Sequence, residues 1–464
     1  MTAAADPVLF TLEELARLAG GEFRLPPGRT EEHETVAGFS IDTRTLRGGE
    51  VFVPLSGSHV DGHEFLADAF AHGAAAALCT RARAASLAGR EPGPLVVVED
   101  VTAALQTLAG RHRERWTGLL VGVTGCAGKT TTKDLVALAL ESDRTTLNTE
   151  GNLNNHWGVP LTLLRLTPRH RAAIVEMGAN HPGEIALLAS LARPDAAIIT
   201  NVGAAHLEGF GSVEAVAAEK KALASAVPPG SPVFAGADSA PLMRALAGAP
   251  QRVIPYGFSS GSAVRPERLE DLGAAGIRIE VAGFPPCRLA LVGRHLAQNA
   301  LAAFAVAREY RLDPLAVVRA LERYRPAKGR MEVRQVRGAT LLVDCYNANP
   351  DSTRAALEVL AGWPGATRRI AVLGDMLELG EQSARLHAGT GAAVRGAELW
   401  ALGRHAGDYA EGARSAAVPT RQFADIPALA AALGEALGPG VTVLLKASRG
   451  VALERVLAGF EGEG

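Results

Sequence analysis

Cysteine is scarce in this sequence, with four residues in a chain of 464. The four lie far apart, and no two of them form a C-x-x-C pair: Cys79, Cys126, Cys287 and Cys345. A disulfide framework and a thiolate zinc site both require paired or closely spaced cysteines. The sequence therefore favours neither, and we expect these thiols to be small buried or loop residues.

An excess of charge of either sign is also missing. The chain has 47 basic and 49 acidic residues, a net charge of −2 and a pI near 6.7. It has no overall basic field for nucleic acid or an anionic membrane, so we expect no nucleic-acid partner. No apolar run approaches the ~18 residues that span a bilayer, and the start of the chain lacks the features of a signal peptide. We expect a cytoplasmic protein without membrane insertion.

Lysine is the rarer of the two strong bases by a wide margin. Only six of the 47 basic residues are lysines: Lys129, Lys133, Lys220, Lys221, Lys328 and Lys446. Arginine thus supplies most of the positive charge. A lysine amine can be neutral and nucleophilic near pH 7, whereas a guanidinium cannot. Each lysine of this chain is therefore a candidate for chemistry that arginine could not perform.

Length and apolar content predict several domains. At ~150 residues per domain the chain corresponds to about three, and 48% hydrophobic residues suffice for real cores. Helical patterns at 12–19 and 64–73 alternate with strand-like runs at 49–54 and 95–98. This pattern predicts a small N-terminal α/β domain over residues 1–100.

Two further α/β domains are predicted after it. Over residues 101–326, strand candidates such as 172–176 and 196–201 alternate with helices, as in a parallel sheet. Glycine and proline interrupt the second half of this segment, which we expect to include an antiparallel portion. An open, Rossmann-like α/β domain is predicted over residues 327–464. Its strand candidates lie at 340–344, 369–373, 398–402 and 441–445.

An apolar run at 119–123, a glycine-rich turn and a helical pattern follow one another directly. This order is typical of a phosphate-binding loop. Its residues are Thr124, Gly125, Cys126, Ala127, Gly128, Lys129, Thr130 and Thr131. Glycines and the helix N-terminus present amides to an anion, Lys129 would reach the β and γ phosphates, and Thr130 could ligate Mg²⁺. The pattern predicts a central ATPase domain; a chance Gly-Lys-Thr in a surface turn is the alternative.

Polar residues that end apolar strands are candidates for ligand binding, since ligands collect at strand ends in parallel sheets. Glu176 ends one such strand, and His206 follows another. They could bind cations beside the phosphate loop, or be a capping glutamate and a core histidine. Lys220 lies on a predicted helix after His206, where a solvated lysine is the ordinary interpretation.

Several longer motifs are spread over the whole chain. They are Ser40-Ile41-Asp42-Thr43-Arg44, Asp61-Gly62-His63, Thr124-Gly125 with Gly128-Lys129-Thr130, Asn154-Asn155 with Gly158-Val159-Pro160, Glu176-Met177-Gly178-Ala179-Asn180-His181, His206-Leu207-Glu208-Gly209-Phe210-Gly211, Gly293-Arg294-His295 with Asn299, Gly329-Arg330, Asp344-Cys345-Tyr346-Asn347-Ala348-Asn349-Pro350 and Gly374-Asp375-Met376-Leu377-Glu378-Leu379-Gly380. Their order and wording resemble the Mur ligase family of peptidoglycan synthesis. The resemblance implies a three-domain enzyme that acts in cell-wall biogenesis and, through it, in cell shape and division.

The resemblance also implies how ATP and Mg²⁺ are bound. Lys129 would hold the phosphates, Thr130 and Glu176 one Mg²⁺, and His206 a second. Lys220 would be the lysine that the family carbamylates, which turns an amine into an anionic oxygen ligand. The remaining nucleotide contacts are the base contacts His295 and Asn299, the γ-phosphate contact Arg330 and the ribose or hinge contact Asp344.

The substrates implied by the resemblance are UDP-MurNAc-tripeptide and D-alanyl-D-alanine, joined through an acyl phosphate by a monomer. Substrate residues carried over are Ser40, Asp42, Arg44 and His63 in the first domain, Asn154 and Asn155 in the second, and Asn347 and Asn349 in the third. The C-terminal domain would swing about residues 326–330. The alternatives are a sister Mur ligase, folylpolyglutamate synthase and, in another class, a P-loop kinase or NTP-driven binding module.

Overall fold

The computed structural model describes residues 10–28, 35–57 and 60–460. The start of the chain, on which the signal-peptide prediction rests, lies outside these residues. The described chain divides into two compact units. The first comprises residues 1–122, 144–177 and 186–195, and the second 123–143, 178–185 and 196–464.

The N-terminal part of the first unit is a small α/β sheet. Its elements are β1 (Phe10–Thr11), α1 (Leu12–Ala19), β2 (Glu22–Arg24), β3 (Thr35–Val36), β4 (Gly38–Ser40), β5 (Glu50–Phe52), a 3₁₀ helix (Gly62–Phe65), α2 (Leu66–Ala71), β6 (Ala76–Thr80), α3 (Arg81–Ser86), β7 (Leu95–Val98) and α4 (Val101–Glu114). Five strands pair in the order β2-β7-β6-β5-β4, with only β2 antiparallel to its neighbour. Helix α1 begins where the Thr11 hydroxyl accepts a hydrogen bond from Glu14 N, and ends at Gly20.

The middle of the chain contributes to both units. Its elements are β8 (Leu119–Thr124), α5 (Lys129–Glu141), β9 (Thr146–Asn148), α6 (Gly158–Leu163), β10 (Ala172–Glu176), α7 (Glu184–Ala192), β11 (Ala196–Ile199), α8 (Leu207–Phe210), α9 (Val213–Ser225), β12 (Pro232–Gly236), α10 (Ala240–Leu246), β13 (Arg252–Tyr256), β14 (Pro266–Asp271), β15 (Ile277–Val281), β16 (Cys287–Leu289), α11 (Arg294–Glu309) and α12 (Pro314–Leu321). In the first unit β9 pairs with β10 in parallel. In the second unit β11, β12 and β13 are parallel, while β14, β15 and β16 are antiparallel. The predicted antiparallel portion is confirmed.

The C-terminal part of the second unit is an open sheet with buried faces. Its elements are β17 (Glu332–Val336), β18 (Ala339–Asp344), α13 (Pro350–Ala361), β19 (Arg368–Leu373), α14 (Ser383–Gly391), β20 (Glu398–Leu402), α15 (Ala406–Ser415), β21 (Thr420–Phe423), α16 (Ile426–Ala436) and β22 (Val441–Lys446). The strand order is β17-β18-β22-β19-β20-β21, and only β17 is antiparallel.

Successive residues of β18 explain why this sheet is apolar throughout. Leu341 and Val343 pack in one core cluster, whereas Leu342 packs in a second. Because neighbouring side chains on a strand lie on opposite faces, a sheet covered on both faces requires a continuous apolar run. The α/β class and the four strands predicted here are therefore confirmed.

Strand ends differ slightly from the predictions for local reasons. The strand predicted at 196–201 ends at Ile199, and Thr200 N then donates to Thr124 O at 3.0 Å. Residues 64–73 contain the end of a 3₁₀ turn followed by α2 instead of one continuous helix. No helix in the described part of the chain has both the length and the apolar character needed to cross a bilayer.

Candidate active site

The loop between β8 and α5 depends on two glycines in left-handed conformations. Gly125 has φ 145° and Gly128 has φ 78°. A Cβ on Gly125 would lie 1.9 Å from Thr200 Oγ1, and one on Gly128 would lie 2.4 Å from Asn299 Oδ1. Any larger residue would displace these side chains. The loop therefore reaches the N-terminus of α5, at Lys129, by a path that only glycine allows.

Hydrogen bonds within the second unit fix the shape of this loop. Lys129 Nζ donates to Gly125 O at 2.9 Å. Asn201 Oδ1 accepts from the backbone amides of Cys126 at 3.1 Å and Ala127 at 2.9 Å. Asn201 was not among the predicted site residues, although a polar residue two positions after a buried strand is an available signal. Asn201 thus holds two of the amides on which a phosphate loop relies.

Thr130 and Thr131, at the start of α5, contact residues far along the chain. Arg330 Nη2 donates to Thr130 Oγ1 at 2.9 Å, and its guanidinium carbon lies 4.0 Å from the centre of the Tyr346 ring. Thr131 is hydrogen-bonded to Tyr324, and burial raises the pKa of that phenol to about 12. The second unit therefore brings the predicted γ-phosphate arginine onto the predicted metal-binding hydroxyl.

Lys220 is the most deeply buried lysine of the chain, with 1% of its surface exposed. It lies on α9, and its Nζ is 5.5 Å from the centre of the Phe210 ring. Burial, and next the positive charge of Lys129, lower the pKa of Lys220 from 10.5 to about 8. A neutral amine is therefore accessible near neutral pH, unlike in a solvated lysine.

His206 is the N-cap residue immediately before α8 and has a left-handed conformation, with φ 53°. Its Nδ1 is hydrogen-bonded to Glu378 Oε2. Glu378 belongs to the motif Gly374–Gly380, to which the sequence alone assigns no role. The hydrogen bond with His206 is the largest cause of the lowered pKa of Glu378.

Glu176 lies in the first unit, at the end of β10, where it is buried. Asn154 Nδ2 donates to Glu176 Oε1 at 2.8 Å, and Glu176 N donates to Thr149 Oγ1 at 3.0 Å. The neighbouring Asn155 has different partners, because its Oδ1 accepts hydrogen bonds from the amides of residues 157 and 158 at the start of α6. Of the two asparagines, Asn154 is the one that contacts the predicted catalytic carboxylate.

Ser40, Asp42 and Arg44 form a compact polar turn in the first unit. Ser40 Oγ donates to Asp42 O at 3.0 Å, and Arg44 Nη2 donates to Asp42 Oδ2 at 2.6 Å. The hydrogen bonds from Arg44 are the largest causes that lower the pKa of Asp42 to about 2. The three predicted substrate residues thus form one exposed charged turn.

His63 is buried in the same unit, with 8% of its surface exposed. Its Nδ1 lies 2.7 Å from Asp61 Oδ1, and its Nε2 accepts from Thr80 N at 3.1 Å. Both ring nitrogens are therefore engaged within the protein. The structure gives His63 a role in positioning the Asp61 loop; a direct substrate contact stays a prediction.

His295 and Asn299 lie one turn apart on α11. Asn299 is buried beside Gly128 of the phosphate loop. Burial lowers the pKa of His295 to about 4, so its imidazole is neutral at physiological pH. This helix therefore places an amide beside the phosphate loop and a neutral ring one turn away.

Asp344 ends β18 and forms an ion pair with a buried lysine. Lys446 Nζ donates to Asp344 Oδ2 at 2.6 Å and to Asn347 O at 3.0 Å. Met331 N donates to Asp344 Oδ1 at 3.2 Å. Asn347 Oδ1 accepts from the next residue's amide, while Asn349 caps α13 through a reciprocal pair of hydrogen bonds with Ser352. The Asn349 side chain is thus used by the helix it begins.

The candidate metal ligands are of mixed chemical type. Among residues 10–28, 35–57 and 60–460, no three His, Cys, Asp or Glu side chains gather closely enough to hold a metal ion. Mg²⁺ prefers oxygen, and it commonly takes one or two protein ligands together with substrate phosphates and water. Thr130 in the second unit and Glu176 in the first each carry such an oxygen, and Lys220 in the second unit would carry one once its amine holds a carbamate. Taken singly, these side chains therefore have the donor chemistry that suits Mg²⁺ bound partly by a nucleotide.

Three family models match successive segments of the chain. They describe the Mur ligase family catalytic domain over residues 35–113, the Mur ligase middle domain over 123–307 and the Mur ligase glutamate ligase domain over 329–449. Together they cover most of the sequence, in the order predicted from the motifs.

Individual relatives match almost the full length. The chain is 34% identical to UDP-N-acetylmuramoyl-tripeptide–D-alanyl-D-alanine ligase of Escherichia coli, over 98% of this chain and 99% of the relative. A crystal structure of MurF from Acinetobacter baumannii superimposes with a TM-score of 0.86 at 28% identity, covering 98% and 99% of the two chains. MurF from Thermotoga maritima in complex with ADP gives a TM-score of 0.79 at 28% identity, covering 92% and 97%. The three-domain prediction is therefore confirmed, and the chain belongs to the Mur ligase family, as a ligase of the MurF type.

Proposed function

We propose that this chain joins D-alanyl-D-alanine to UDP-MurNAc-tripeptide and converts ATP to ADP and phosphate in doing so. The observation that carries the proposal is the site in the second unit, where a glycine-dependent phosphate loop, Arg330 and the buried Lys220 occur in one compact body. The near-complete match to a relative with this activity supports the choice of substrates. A sister Mur ligase or folylpolyglutamate synthase is not favoured.

The domain limits that we propose are 1–100 for binding the UDP end of the substrate, 101–326 for ATP and 327–464 for the Rossmann-like part. The protein would be a cytoplasmic monomer without a nucleic-acid partner. Peptidoglycan precursor synthesis is its expected pathway, with cell division depending on it.

ATP would bind at the phosphate loop, and the residues of that loop and its immediate contacts support this assignment. Lys129 and the amides at the start of α5 are suited to the β and γ phosphates. Arg330, held by Tyr346 and Thr130, would neutralise charge on the transferring phosphoryl group. His295 and Asn299 would bind the base, and Asp344 the ribose.

Mg²⁺ would supply electrostatic stabilisation of the phosphates. Four residues would hold two such ions: Thr130, Glu176, His206 and carbamylated Lys220. The carbamate forms when the neutral Lys220 amine attacks CO₂, which makes one N–C bond and releases one proton. The low exposure and lowered pKa of Lys220 favour this step over binding by a charged ammonium.

The ligation proceeds in two steps. A terminal carboxylate oxygen of the tripeptide attacks the γ-phosphorus of ATP, and the bond to the β-phosphate oxygen breaks, giving an acyl phosphate and ADP. The amine of D-alanyl-D-alanine then attacks the acyl carbon, loses a proton, and expels inorganic phosphate as the amide forms. The chain's own contribution is to align carboxylate, phosphate and amine, which is worth several powers of ten in rate.

The proposed substrate contacts are Ser40, Asp42, Arg44 and His63 for the UDP end, Asn154 and Asn155 near the reacting carboxylate, and Asn347 and Asn349 for the incoming dipeptide. The exposed turn at Asp42 and the Asn154–Glu176 contact support two of these assignments. Asn155, Asn349 and His63 would act through the backbone that they position.

The amine dependence of phosphate release tests this function. ATP, Mg²⁺ and UDP-MurNAc-tripeptide are supplied with D-alanyl-D-alanine, single diamino acids or L-glutamate in turn. We expect release only with the dipeptide, and a pentapeptide product by mass. Release with a single amino acid would indicate a sister ligase, and a stable phosphorylated substrate formed without any amine would indicate a kinase.

A further inference from the structure

The C-terminal part of the chain contacts the predicted metal ligand His206 through one loop, residues 375–380. His206 Nδ1 is hydrogen-bonded to Glu378 Oε2. The backbones also meet, because Glu208 N donates to Glu378 O at 3.1 Å. Gly380 packs closely enough that a Cβ there would lie 3.2 Å from Glu208 Cα. The contact is therefore a docked surface and not a single flexible side chain.

Both residues of this hydrogen bond have an unusual backbone conformation. His206 has φ 53° and Glu378 has φ 63°, in the left-handed region that non-glycine residues rarely adopt. Such conformations persist only where surrounding contacts enforce them, and they concentrate at functional sites. His206 and Glu378 are separated by 172 positions in the sequence, yet their side chains are in contact.

The rest of the loop is fixed to the C-terminal sheet. Asp375 accepts from the amides of residues 404 and 405 at 2.9 and 3.0 Å. Met376 N donates to His387 Nε2 at 3.0 Å, and Leu377 N donates to Ser448 Oγ at 2.9 Å. Glu378 is thus presented from a rigid base, and its position follows the C-terminal part as a whole.

The chemistry of an imidazole gives this contact a consequence. A carboxylate that accepts a hydrogen bond from Nδ1 fixes the orientation of the ring and selects the neutral tautomer whose Nε2 lone pair can ligate a metal. We propose that Glu378 is a positioning residue that orients His206 for metal binding only when the C-terminal part is docked. The proposal rests on the metal role of His206 in the proposed function. It would couple docking to completion of the metal site.

Binding of Mn²⁺ in the presence of ADP, followed by electron paramagnetic resonance, tests this coupling without relying on activity. Glu378→Ala should weaken Mn²⁺ binding about tenfold or more, the usual effect of losing such a partner. Glu378→Gln keeps an oxygen acceptor for Nδ1–H and should stay within about threefold of the unmodified protein. Glu381→Ala removes the exposed glutamate that directly follows this loop and is the matched control.

A double-mutant cycle distinguishes coupling through His206 from a general effect on the fold. In a His206→Ala background, Glu378→Ala should cause no further loss of Mn²⁺ affinity. Additive losses, or unchanged affinity in the single variant Glu378→Ala, would overturn the proposal. If Glu378→Ala does not fold, a tenfold loss in the folded Glu378→Gln variant would also overturn it, and affinity within threefold would support it.

Failure of the proposed function can be distinguished from failure of the Glu378 proposal. In the former case the unmodified protein neither ligates D-alanyl-D-alanine nor binds Mn²⁺ with ADP. Steady-state kinetics give a second readout. Glu378→Ala should raise the Mg²⁺ concentration for half-maximal activity about tenfold and lower kcat, while the KM for UDP-MurNAc-tripeptide remains unchanged. A raised KM with unchanged Mg²⁺ dependence would contradict a role through His206.

Discussion

Lys220 is a buried amine, and its replacement by methionine should stabilise the folded chain while it abolishes ligation. Methionine has a similar length and no charge to desolvate. The pKa of Lys220 falls from 10.5 to about 8 on folding. At about 1.4 kcal/mol per pKa unit, Lys220→Met should raise the free energy of unfolding near pH 7 by roughly 3 kcal/mol.

The sign of this effect fixes its pH dependence. The folded state binds the Lys220 proton more weakly than the unfolded state, so the destabilisation is complete below about pH 8. It fades as the pH rises from 8 through 10.5, above which the unfolded amine is also mostly neutral. At pH 9.5 the advantage of Lys220→Met should have fallen to about 1.4 kcal/mol.

Urea denaturation in Mg²⁺-free buffer depleted of CO₂ measures this difference, because the amine is then unmodified. Lys221→Met is the matched control, since Lys221 is the next residue of the same helix and is partly exposed. The control should change stability by less than about 0.5 kcal/mol. A destabilised Lys220→Met variant, or a gain that does not shrink at high pH, would refute the assignment of Lys220 as a buried amine with a lowered pKa.

Other predictions concern the phosphate loop and the C-terminal core. Gly128→Ala and Gly230→Ala both force alanine to φ 78° at a cost of about 1–2 kcal/mol each, yet only Gly128 has a neighbour that a Cβ would strike. ATP affinity by calorimetry should therefore fall at least tenfold in Gly128→Ala alone; an equal loss in Gly230→Ala would contradict the loop geometry. Lys446→Met leaves the Asp344 carboxylate without its buried partner and should lower the free energy of unfolding by about 3–5 kcal/mol, whereas a change below 1 kcal/mol would show that the pair is not buried in solution. Burial lowers the pKa of His387, so stability should fall as the pH drops below about 6.5, and denaturation curves at two pH values should show a smaller fall in His387→Gln; identical falls would exclude His387 as the cause.

The parts of the site that the sequence could predict are those with a local signal. The phosphate loop is contiguous, and its glycines, lysine and threonine follow one another between a strand and a helix. The scarcity of lysine was also informative. Lys133, Lys220 and Lys446 are each at most 3% exposed, which is rare for a residue that is ordinarily solvated.

Contacts between distant segments could not be predicted in this way. Only the tertiary fold brings His206 to Glu378, and the same is true of Lys446 and Asp344. No periodicity or spacing along the chain relates the members of either pair. Their motifs could be recognised, but not their pairing. Asn349 is a different case, because asparagine followed by proline is an ordinary helix start, and its capping role could have been predicted from the local sequence.

Transfer of ¹⁸O from the tripeptide carboxylate to inorganic phosphate is the most direct test of the ligation mechanism. UDP-MurNAc-tripeptide labelled in its terminal carboxylate is incubated with ATP, Mg²⁺ and D-alanyl-D-alanine, and both products are weighed by mass spectrometry. An acyl phosphate requires one labelled oxygen in each phosphate released and one in the pentapeptide amide. Unlabelled phosphate, or labelled phosphate without pentapeptide, would contradict the mechanism proposed for this chain.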